Sequence, residues 1–275
     1  MRSLKSLAII AAAMAVLAPK ESPAADLPML PPPPIEEYGG WYLRGDIGMS
    51  NQRLKGLELV GVDPADTFEW LDRGGFDSAP IFGVGIGYRH NSWFRWDITG
   101  EYRGKAHFTA LDRYDTGSTG TFDGTNEYTA KKSELLFLFN AYLDLGTWKS
   151  ITPFVGAGIG ASRNTISNFR DINTPTAGVA YANDHSKWDL AWAVYAGLAY
   201  EVTPNFTIEL AYRYLDLGDA KSGDIIDFTG TNNINNPVTF KRITSHDLKF
   251  GVRMALADMG VSNWAPPPPP LVSKY

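Results

Sequence analysis

The consecutive residues Ser245-His246-Asp247 are the three residue types of a serine-hydrolase triad. In such a triad the serine attacks, the histidine takes its proton and the carboxylate orients the histidine. The surrounding sequence predicts a β-strand, however, and neighbouring side chains on a strand point to opposite faces. Ser245 and His246 therefore cannot form a dyad as adjacent residues. A hydrolase would need His246 to meet a carboxylate from a neighbouring strand, and it is the least favoured of the functions considered below.

Two glycine-rich segments, 83–87 and 156–160, have the spacing G-x-G-x-G and superficially resemble nucleotide-binding loops. No helical pattern follows either segment, so we interpret their glycines as inward-facing residues of strands. The chain has four histidines, His90, His107, His185 and His246, and their spacing is not that of metal ligands. The sequence therefore predicts no catalytic residue, no metal site and no cofactor.

The segment 94–108 alternates strictly between apolar and polar residues. This period of two predicts one long β-strand. Strands of soluble proteins usually run about 5 to 6 residues, whereas about 9 to 11 tilted residues span a bilayer. The pattern therefore favours a membrane-spanning strand with its apolar side chains in lipid. The expected lipid-facing residues are Phe94, Trp96, Ile98 and Tyr102, and the expected inward residues are Arg95, Asp97, Glu101, Arg103 and Lys105.

The same alternation predicts eight strands. They cover about 40–50, 80–89, 94–108, 131–145, 151–163, 189–201, 206–215 and 241–256. Three connections are short (90–93, 146–150 and 203–205) and four are long (51–79, 109–130, 164–187 and 218–240). Alternation of short turns with long loops is typical of outer-membrane barrels. We therefore expect an all-β fold, an eight-stranded antiparallel up-and-down transmembrane β-barrel, with periplasmic termini and extracellular long loops.

Composition agrees with this fold and excludes other classes. A mean hydropathy of -0.18 and 44% hydrophobic residues exclude a polytopic helical membrane protein, while the aromatic content of 13% fits aromatic girdles at both membrane interfaces. The chain has no cysteine, so closure of the sheet would have to replace disulfides in an oxidising compartment. The net charge of -5 argues against a nucleic-acid partner.

Both ends of the chain differ from the alternating region. Residues 1–24 have the basic start, apolar core and small-residue cleavage site of a secretory signal peptide. Cleavage after Ala24 would expose Ala25-Asp26-Leu27, and cleavage after Ala25 is the alternative. Residues 25–37 form a Pro-rich periplasmic leader, 38–256 the barrel and 257–275 a Pro-rich periplasmic tail. Prolines cannot donate to a strand ladder, so neither end is predicted to be a strand.

The predicted interior is charged. An eight-stranded barrel is just wide enough for side chains to fill it, and charges removed from water are costly unless they are paired. We therefore expect the inward charges to pair across the lumen and to plug it. The residues expected in this network are Arg44, Asp46, Arg95, Asp97, Glu101, Arg103, Glu134, Glu209, Arg213, Lys249 and Arg253. Further inward charges are expected at Arg89, Asp144, Asp189, Glu201 and Asp247.

Segments 40–48, 152–160 and 208–218 carry a family resemblance. With them, residues 38–256 resemble the small outer-membrane β-barrel proteins of α-proteobacteria, a surface-antigen group related to the OmpA-like membrane domain. The resemblance implies an outer-membrane location, with outer-membrane lipid, lipopolysaccharide and the barrel-assembly machinery as partners. Members usually end on an aromatic residue of the last strand, whereas this chain continues to Tyr275. Either the machinery reads an internal strand, which we favour, or Tyr275 replaces the usual terminus.

An Ala-Asp start also looks, in that family, like the substrate of transpeptidases that join a free α-amine to peptidoglycan. The resemblance thus implies peptidoglycan attachment at Ala25, Asp26 and Leu27, and the alternative is a solvated export leader. The predicted function is a structural, plugged envelope protein without enzymatic activity. The alternatives are a porin-like diffusion channel, an adhesin or surface antigen that binds through its long loops, and, last, a lipid-modifying hydrolase.

Overall fold

The computed structural model describes residues 39–60, 65–232 and 234–256. The predictions of a signal peptide (1–24), a leader (25–37) and a C-terminal tail (257–275) lie outside the described residues. Within the described residues, no helix is long and apolar enough to cross a membrane.

Eight antiparallel strands form a closed ring. They are β1 (Gly40–Arg53), β2 (Ala79–Arg89), β3 (Phe94–Asp115), β4 (Gly124–Asp144), β5 (Ile151–Thr174), β6 (His185–Thr203), β7 (Phe206–Asp216) and β8 (Thr244–Ala255). Each strand pairs with the next along the chain, and β1 pairs with β8. The sheet thus has no free edge between its first and last strands. The predicted eight-stranded up-and-down barrel is confirmed.

Most apolar residues of the membrane-spanning segments point outward. On β4, Phe137 and Phe139 are each 49% exposed, whereas Leu136 and Leu138 between them are buried. We take the membrane-spanning segment of each strand as its run of outward apolar residues. On the three longest strands these runs end at Tyr102 (β3), at Leu135 (β4) and at Ala161 (β5) on the extracellular side.

The strands are longer than the sequence predicted. Residues 109–130 and 164–187 were expected to be loops, but β3 continues to Asp115, β4 begins at Gly124 and β5 continues to Thr174. These extensions stand beyond the membrane-spanning segments. Their outer faces lie in water, so most of their outward residues are polar. The alternation of outward apolar and inward charged residues, from which the membrane-spanning strands were predicted, is therefore absent from the extensions.

A β-bulge changes the facing of β3 beyond the membrane. Arg103 pairs with Glu134, but the next pair joins Ala106 to Lys132, so β3 carries one extra residue there. Beyond the bulge the even-numbered residues point inward. Lys105 is therefore exposed on the outer face, and the prediction that it points inward was wrong. A similar irregularity lies between β4 and β5, beside Asn168 of β5, which has a positive φ of 52°.

The extracellular end of the barrel has an apolar core. Phe76 of the β1–β2 connection and Phe108 of β3 pack against Phe240 of the β7–β8 connection, with ring centroids 5.8 and 5.0 Å from Phe240. Phe240 belongs to a small sheet of Ala220–Lys221, Thr239–Lys241 and Gly56–Glu58. Above the bilayer the barrel is thus built like a soluble β-protein, with apolar residues inside and polar residues outside.

Candidate functional site

The lumen of the membrane-spanning barrel holds a continuous network of buried ion pairs. Among the described residues it contains seven cations (Arg44, Arg95, Arg103, Lys132, Arg213, Lys249 and Arg253) and seven anions (Asp46, Asp97, Glu101, Glu134, Asp144, Glu209 and Asp247). All fourteen are at most 8% exposed. Their positions alternate with the outward apolar residues, so the same pleat supplies both faces.

The extracellular half of the network is centred on two arginines. Arg213 donates to both oxygens of Glu101 at 2.8 and 2.7 Å and to Asp247 at 2.8 Å. Arg103 donates to both oxygens of Asp247 at 2.8 and 3.0 Å and to Glu134 at 2.9 Å. Bidentate pairs of this kind fix the geometry of both partners.

The periplasmic half is centred on Glu209. Its carboxylate lies 2.7 Å from Arg253, 3.1 Å from Arg95 and 3.4 Å from Arg44. Arg44 also contacts Asp97 at 2.6 Å. These partners come from β1, β3, β7 and β8, so the network joins strands that are not neighbours in the sheet.

Two contacts connect the halves. Lys249 contacts Glu101 in the extracellular half and lies 3.6 Å from Asp46, which in turn lies 2.8 Å from Arg44 in the periplasmic half. Positive and negative groups therefore alternate along the length of the lumen.

Inward glycines leave the space that the larger polar side chains occupy. An added Cβ at Gly87 would lie 2.4 Å from the ring of Tyr42, and one at Gly156 would lie 2.4 Å from the ring of Tyr142. Tyr42 donates to Asp97 at 3.1 Å, and Tyr142 accepts from Arg44 at 3.0 Å. The segments that superficially resembled nucleotide-binding loops thus lie on β2 and β5, and their glycines face the lumen.

All eleven residues that the sequence analysis assigned to the network lie in the lumen, and Asp144 and Asp247 lie there with them. Lys132 was missed, because the predicted start of β4 fell beside it, and it contacts Glu134 and Gln52. Four expected inward charges lie outside the network: Lys105, as described above, and Glu201, Asp189 and Arg89. Glu201 is exposed near the end of β6, and the partly exposed Asp189 contacts Lys187 at 2.7 Å. Arg89 is half-buried at the end of β2.

Ser245 and His246 point to opposite sides of the wall. Ser245 is buried in the lumen and donates to Asp247 at 2.5 Å, whereas His246 contacts the Tyr212 hydroxyl at 2.6 Å on the outer side. The two side chains do not meet. Within the described residues no group of three or more His, Asp or Glu side chains could hold a metal ion.

A second cluster of polar side chains lies in the extracellular extension, outside the membrane-spanning segments. Asp171 and Tyr128 line a cavity of about 510 Å³, and the Tyr128 hydroxyl donates to Asp112 at 2.6 Å. Burial, followed by the nearby carboxylate of Asp112, raises the pKa of Asp171 to about 7. One carboxylate oxygen of Asp171 is buried without a hydrogen-bond partner.

A closed ring of eight strands with an apolar outer face and a charged lumen defines an outer-membrane β-barrel. Residues 7–258 match the family model of the outer membrane protein beta-barrel domain, and the chain belongs to this family. The protein is thus located in the outer membrane, with its short turns on the periplasmic side.

Two relatives in sequence are from α-proteobacteria. An uncharacterized protein of Brucella abortus is 33% identical over 217 residues, which are 70% of this chain and 74% of that protein. A protein of Rickettsia typhi, named as a candidate adhesin, is 26% identical over 219 residues, which are 78% of this chain and 88% of that protein.

Two solved structures are similar in fold at low sequence identity. Neisserial surface protein A gives a TM-score of 0.42 at 16% identity and covers 78% of this chain and 96% of its own. The outer membrane protease OmpT from Escherichia coli gives a TM-score of 0.48 at 11% identity, with the same coverage.

Proposed function

We propose that this protein is a non-conducting structural component of the outer membrane. The observation that carries the proposal is the balanced network of buried charges that fills the lumen. An ion that entered would have to displace paired charges, and a buried charge left without its partner is costly. The apolar core around Phe240 adds a second layer at the extracellular mouth.

Single-channel recording in planar bilayers tests the closed lumen. The full-length protein should insert without steady conductance steps, while a diffusion porin reconstituted in the same lipid should conduct. A variant that removes two cations and two anions from the network, Arg103→Ala, Arg213→Ala, Glu101→Ala and Asp247→Ala, should conduct if it still inserts. Steady conductance by the unaltered protein would reject the structural role and favour the porin-like alternative.

We further propose that the N-terminus is joined to peptidoglycan through the α-amine of Ala25. The support is the Ala25-Asp26-Leu27 start and the Pro-rich leader after it. In a polyproline II conformation, at about 3.1 Å per residue, residues 26–37 would extend roughly 37 Å. This reach would carry a primary amine away from the barrel and towards the cell wall.

Digestion of purified peptidoglycan with muramidase and trypsin should release a muropeptide joined to the fragment from Ala25 to Arg44. Mass spectrometry identifies this product. Asp26→Asn, which removes the acidic side chain without creating a trypsin site, should remove it while the barrel still inserts. If every N-terminus in the cell wall fraction is free, the tether is excluded.

Adhesion is the second candidate function. The name of the Rickettsia typhi relative favours it, and the extended β3–β4 and β5–β6 hairpins provide a surface beyond the bilayer. Bacteria that carry the protein should bind cultured host cells more strongly than bacteria in which the tips 116–123 and 175–184 are replaced by Gly-Ser linkers. Equal binding by both strains would remove this candidate.

The separation of Ser245 from His246 supports the absence of hydrolase activity. Lipid A from cells with and without the protein should therefore have the same acylation and phosphorylation in mass spectrometry. A mass difference that depends on the protein would establish a lipid-modifying activity.

A further inference from the structure

We propose that the extracellular mouth of the barrel binds a linear aliphatic diamine, with one ammonium group at Asp171 and the other at Asp227. The site is the cavity of about 510 Å³ that Asp171 and Tyr128 line, and we call it the mouth cavity. Ala180 and Asp227 also line it. Its volume lies within the range of about 300 to 1,000 Å³ that is usual for small-molecule sites.

Four lining residues form one row across the inner face of the wall. Tyr128 of β4 is the direct cross-strand partner of Asp171 of β5. Asp171 is also the partner of Ala180, in the short strand Val179–Ala182, and Ala180 is the partner of Asp227, in the short strand Ile225–Asp227. Direct partners lie on the same face of a sheet. Two carboxylates therefore face the mouth cavity with a single alanine between them.

The separation of the two carboxylates suits a diamine and not a single metal ion. Neighbouring strands are about 4.8 Å apart, so Asp171 and Asp227, which are two strands apart, are separated by roughly 10 Å. Ca²⁺ and Mg²⁺ hold oxygen ligands at about 2 to 2.6 Å, so one ion cannot contact both. The two nitrogens of extended 1,5-diaminopentane are roughly 7.5 Å apart, given bonds of about 1.5 Å and angles near 111°. Each ammonium group would then reach one carboxylate at about 2.8 Å.

The surface between the carboxylates suits a hydrocarbon chain. The side chain of Ala180 is a single methyl group and leaves room between the two acidic side chains. The apolar side chains of Leu59, Val60, Ile225 and Ile234 also line the mouth cavity. Burial of methylene groups against such side chains is favourable. The apolar lining thus distinguishes an aliphatic diamine from a small inorganic cation.

The charge of the mouth cavity is negative. Within the part of the chain that the structure describes, none of its lining side chains is basic. One oxygen of the Asp171 carboxylate is buried without a hydrogen-bond partner, and a buried carboxylate without compensation is costly. The Tyr128 ring beside Asp171 offers a further favourable surface to a cation. A bound ammonium group would therefore compensate a charge that the fold leaves open.

Ionisation of Asp171 couples binding to pH. The titratable groups on its side of the wall are Asp112 of β3, Tyr128 and Asp227, whereas the neighbouring Arg170 is exposed on the opposite face. Burial, followed by the carboxylate of Asp112, raises the pKa of Asp171 to about 7. Below this pH a proton must leave Asp171 before the ammonium group can pair with it. Binding should therefore release a proton and weaken as the pH falls.

Calorimetric titration of the full-length protein in lipid nanodiscs with 1,5-diaminopentane at pH 8 tests the proposal. Saturable binding of one molecule per barrel is expected, and Asp171→Asn and Asp227→Asn should each weaken it at least tenfold. Glu127→Gln is the matched control, because Glu127 adjoins Tyr128 but is exposed on the outer face of the same strand. It should change the affinity less than twofold. Absence of saturable binding, or equal losses in all three variants, would overturn the site.

Two further probes test the pairing of both ammonium groups and the fit of the chain. 1-Aminopentane has one ammonium group and Mg²⁺ has no chain, so each should bind at least tenfold more weakly than 1,5-diaminopentane. Equal affinity for either probe would overturn the proposal.

The pH profile tests the contact with Asp171. Lowering the pH from about 8 to about 6 should weaken binding of 1,5-diaminopentane by the unaltered protein about tenfold, because only about a tenth of Asp171 is ionised one unit below its pKa. The Asp171→Asn protein should not show this change. An affinity of the unaltered protein that is the same at both pH values would contradict the contact and overturn the proposal.

Discussion

Glu101 compensates the charges of two buried cations in the lumen. Its carboxylate accepts from Arg213 at 2.8 and 2.7 Å and also contacts Lys249. Glu101→Gln removes the negative charge and leaves two buried cations short of a partner. We expect a loss of about 3 to 5 kcal/mol in the free energy of unfolding, because breaking a buried pair leaves an uncompensated charge. Urea unfolding of the protein in lipid vesicles measures the change.

A pair outside the membrane provides the control for this prediction. Glu69 accepts from Arg113 at 2.5 Å, but its side chain is 53% exposed. Glu69→Gln should therefore change the free energy of unfolding by at most about 1 kcal/mol. Similar losses for Glu101→Gln and Glu69→Gln would mean that water reaches the lumen freely and that the pairs there are not structural.

Asp171 predicts a pH dependence at the extracellular mouth. Its folded-state pKa is raised from 3.8 to about 7, so the folded protein binds the proton more tightly than the unfolded chain. Stability should therefore fall as the pH rises from about 4 to about 7, and Asp171→Asn should remove this decline. The ¹³C shift of the Asp171 carboxyl carbon in lipid nanodiscs reports the titration. A midpoint near 4 would contradict the buried environment.

At the scale of the strand, the outward face of β4 predicts a depth dependence. Phe137 lies in the apolar run, so Phe137→Arg should cost about 2 to 4 kcal/mol of folding free energy in a bilayer. Ser133, on the same face but beyond Leu135, is the matched position outside the run. Ser133→Arg should cost about 0 to 1 kcal/mol. Equal costs in vesicle-based unfolding would show that the facing or the membrane boundary is misplaced.

Strand β3 also shows how far sequence reasoning reaches. Alternation predicted its membrane-spanning part because lipid outside and charge inside give maximal contrast between neighbours. The bulge after Arg103 could not be recognised in the sequence, because two changes occur at the same place. The side chains of β3 exchange faces at the bulge, and beyond the membrane the apolar environment changes from the outer face to the interior. The two changes cancel, so apolar and polar residues go on alternating through Lys105 and Phe108 without a break.

The partners within the network were equally beyond the sequence. Which residues face the lumen follows from parity along each strand, and Arg213 and Glu101 could be assigned to it on that basis. Their contact joins residues 112 positions apart. The contact depends on the register between successive strands around the ring. Alternation within a strand predicts which face a residue lies on, but it does not predict that register.

At the scale of the whole molecule, two sets of charges should respond differently to salt. The lumen pairs are buried and little screened, whereas the pair of Arg113 and Glu69 is exposed to water. Raising NaCl from about 0.1 to 1 M, which shortens the screening length from about 10 to 3 Å, should leave the unfolding midpoint in urea nearly unchanged. Over the same range the small difference in stability between the Glu69→Gln variant and the parent protein should disappear. A large fall in the unfolding midpoint would show that the network is open to solvent.

The seam between the first and last strands has a consequence for closure of the wall. Arg44 of β1 and Arg253 of β8 are direct partners across this seam, and both face the lumen. Glu209 of β7 contacts both arginines, and Arg44 is also paired with Asp46 and Asp97. Closure of the wall thus brings two like charges together, and carboxylates from β1, β3 and β7 compensate them. The seam that closes the barrel is therefore held by side chains from strands on either side of it as well as by its own backbone ladder.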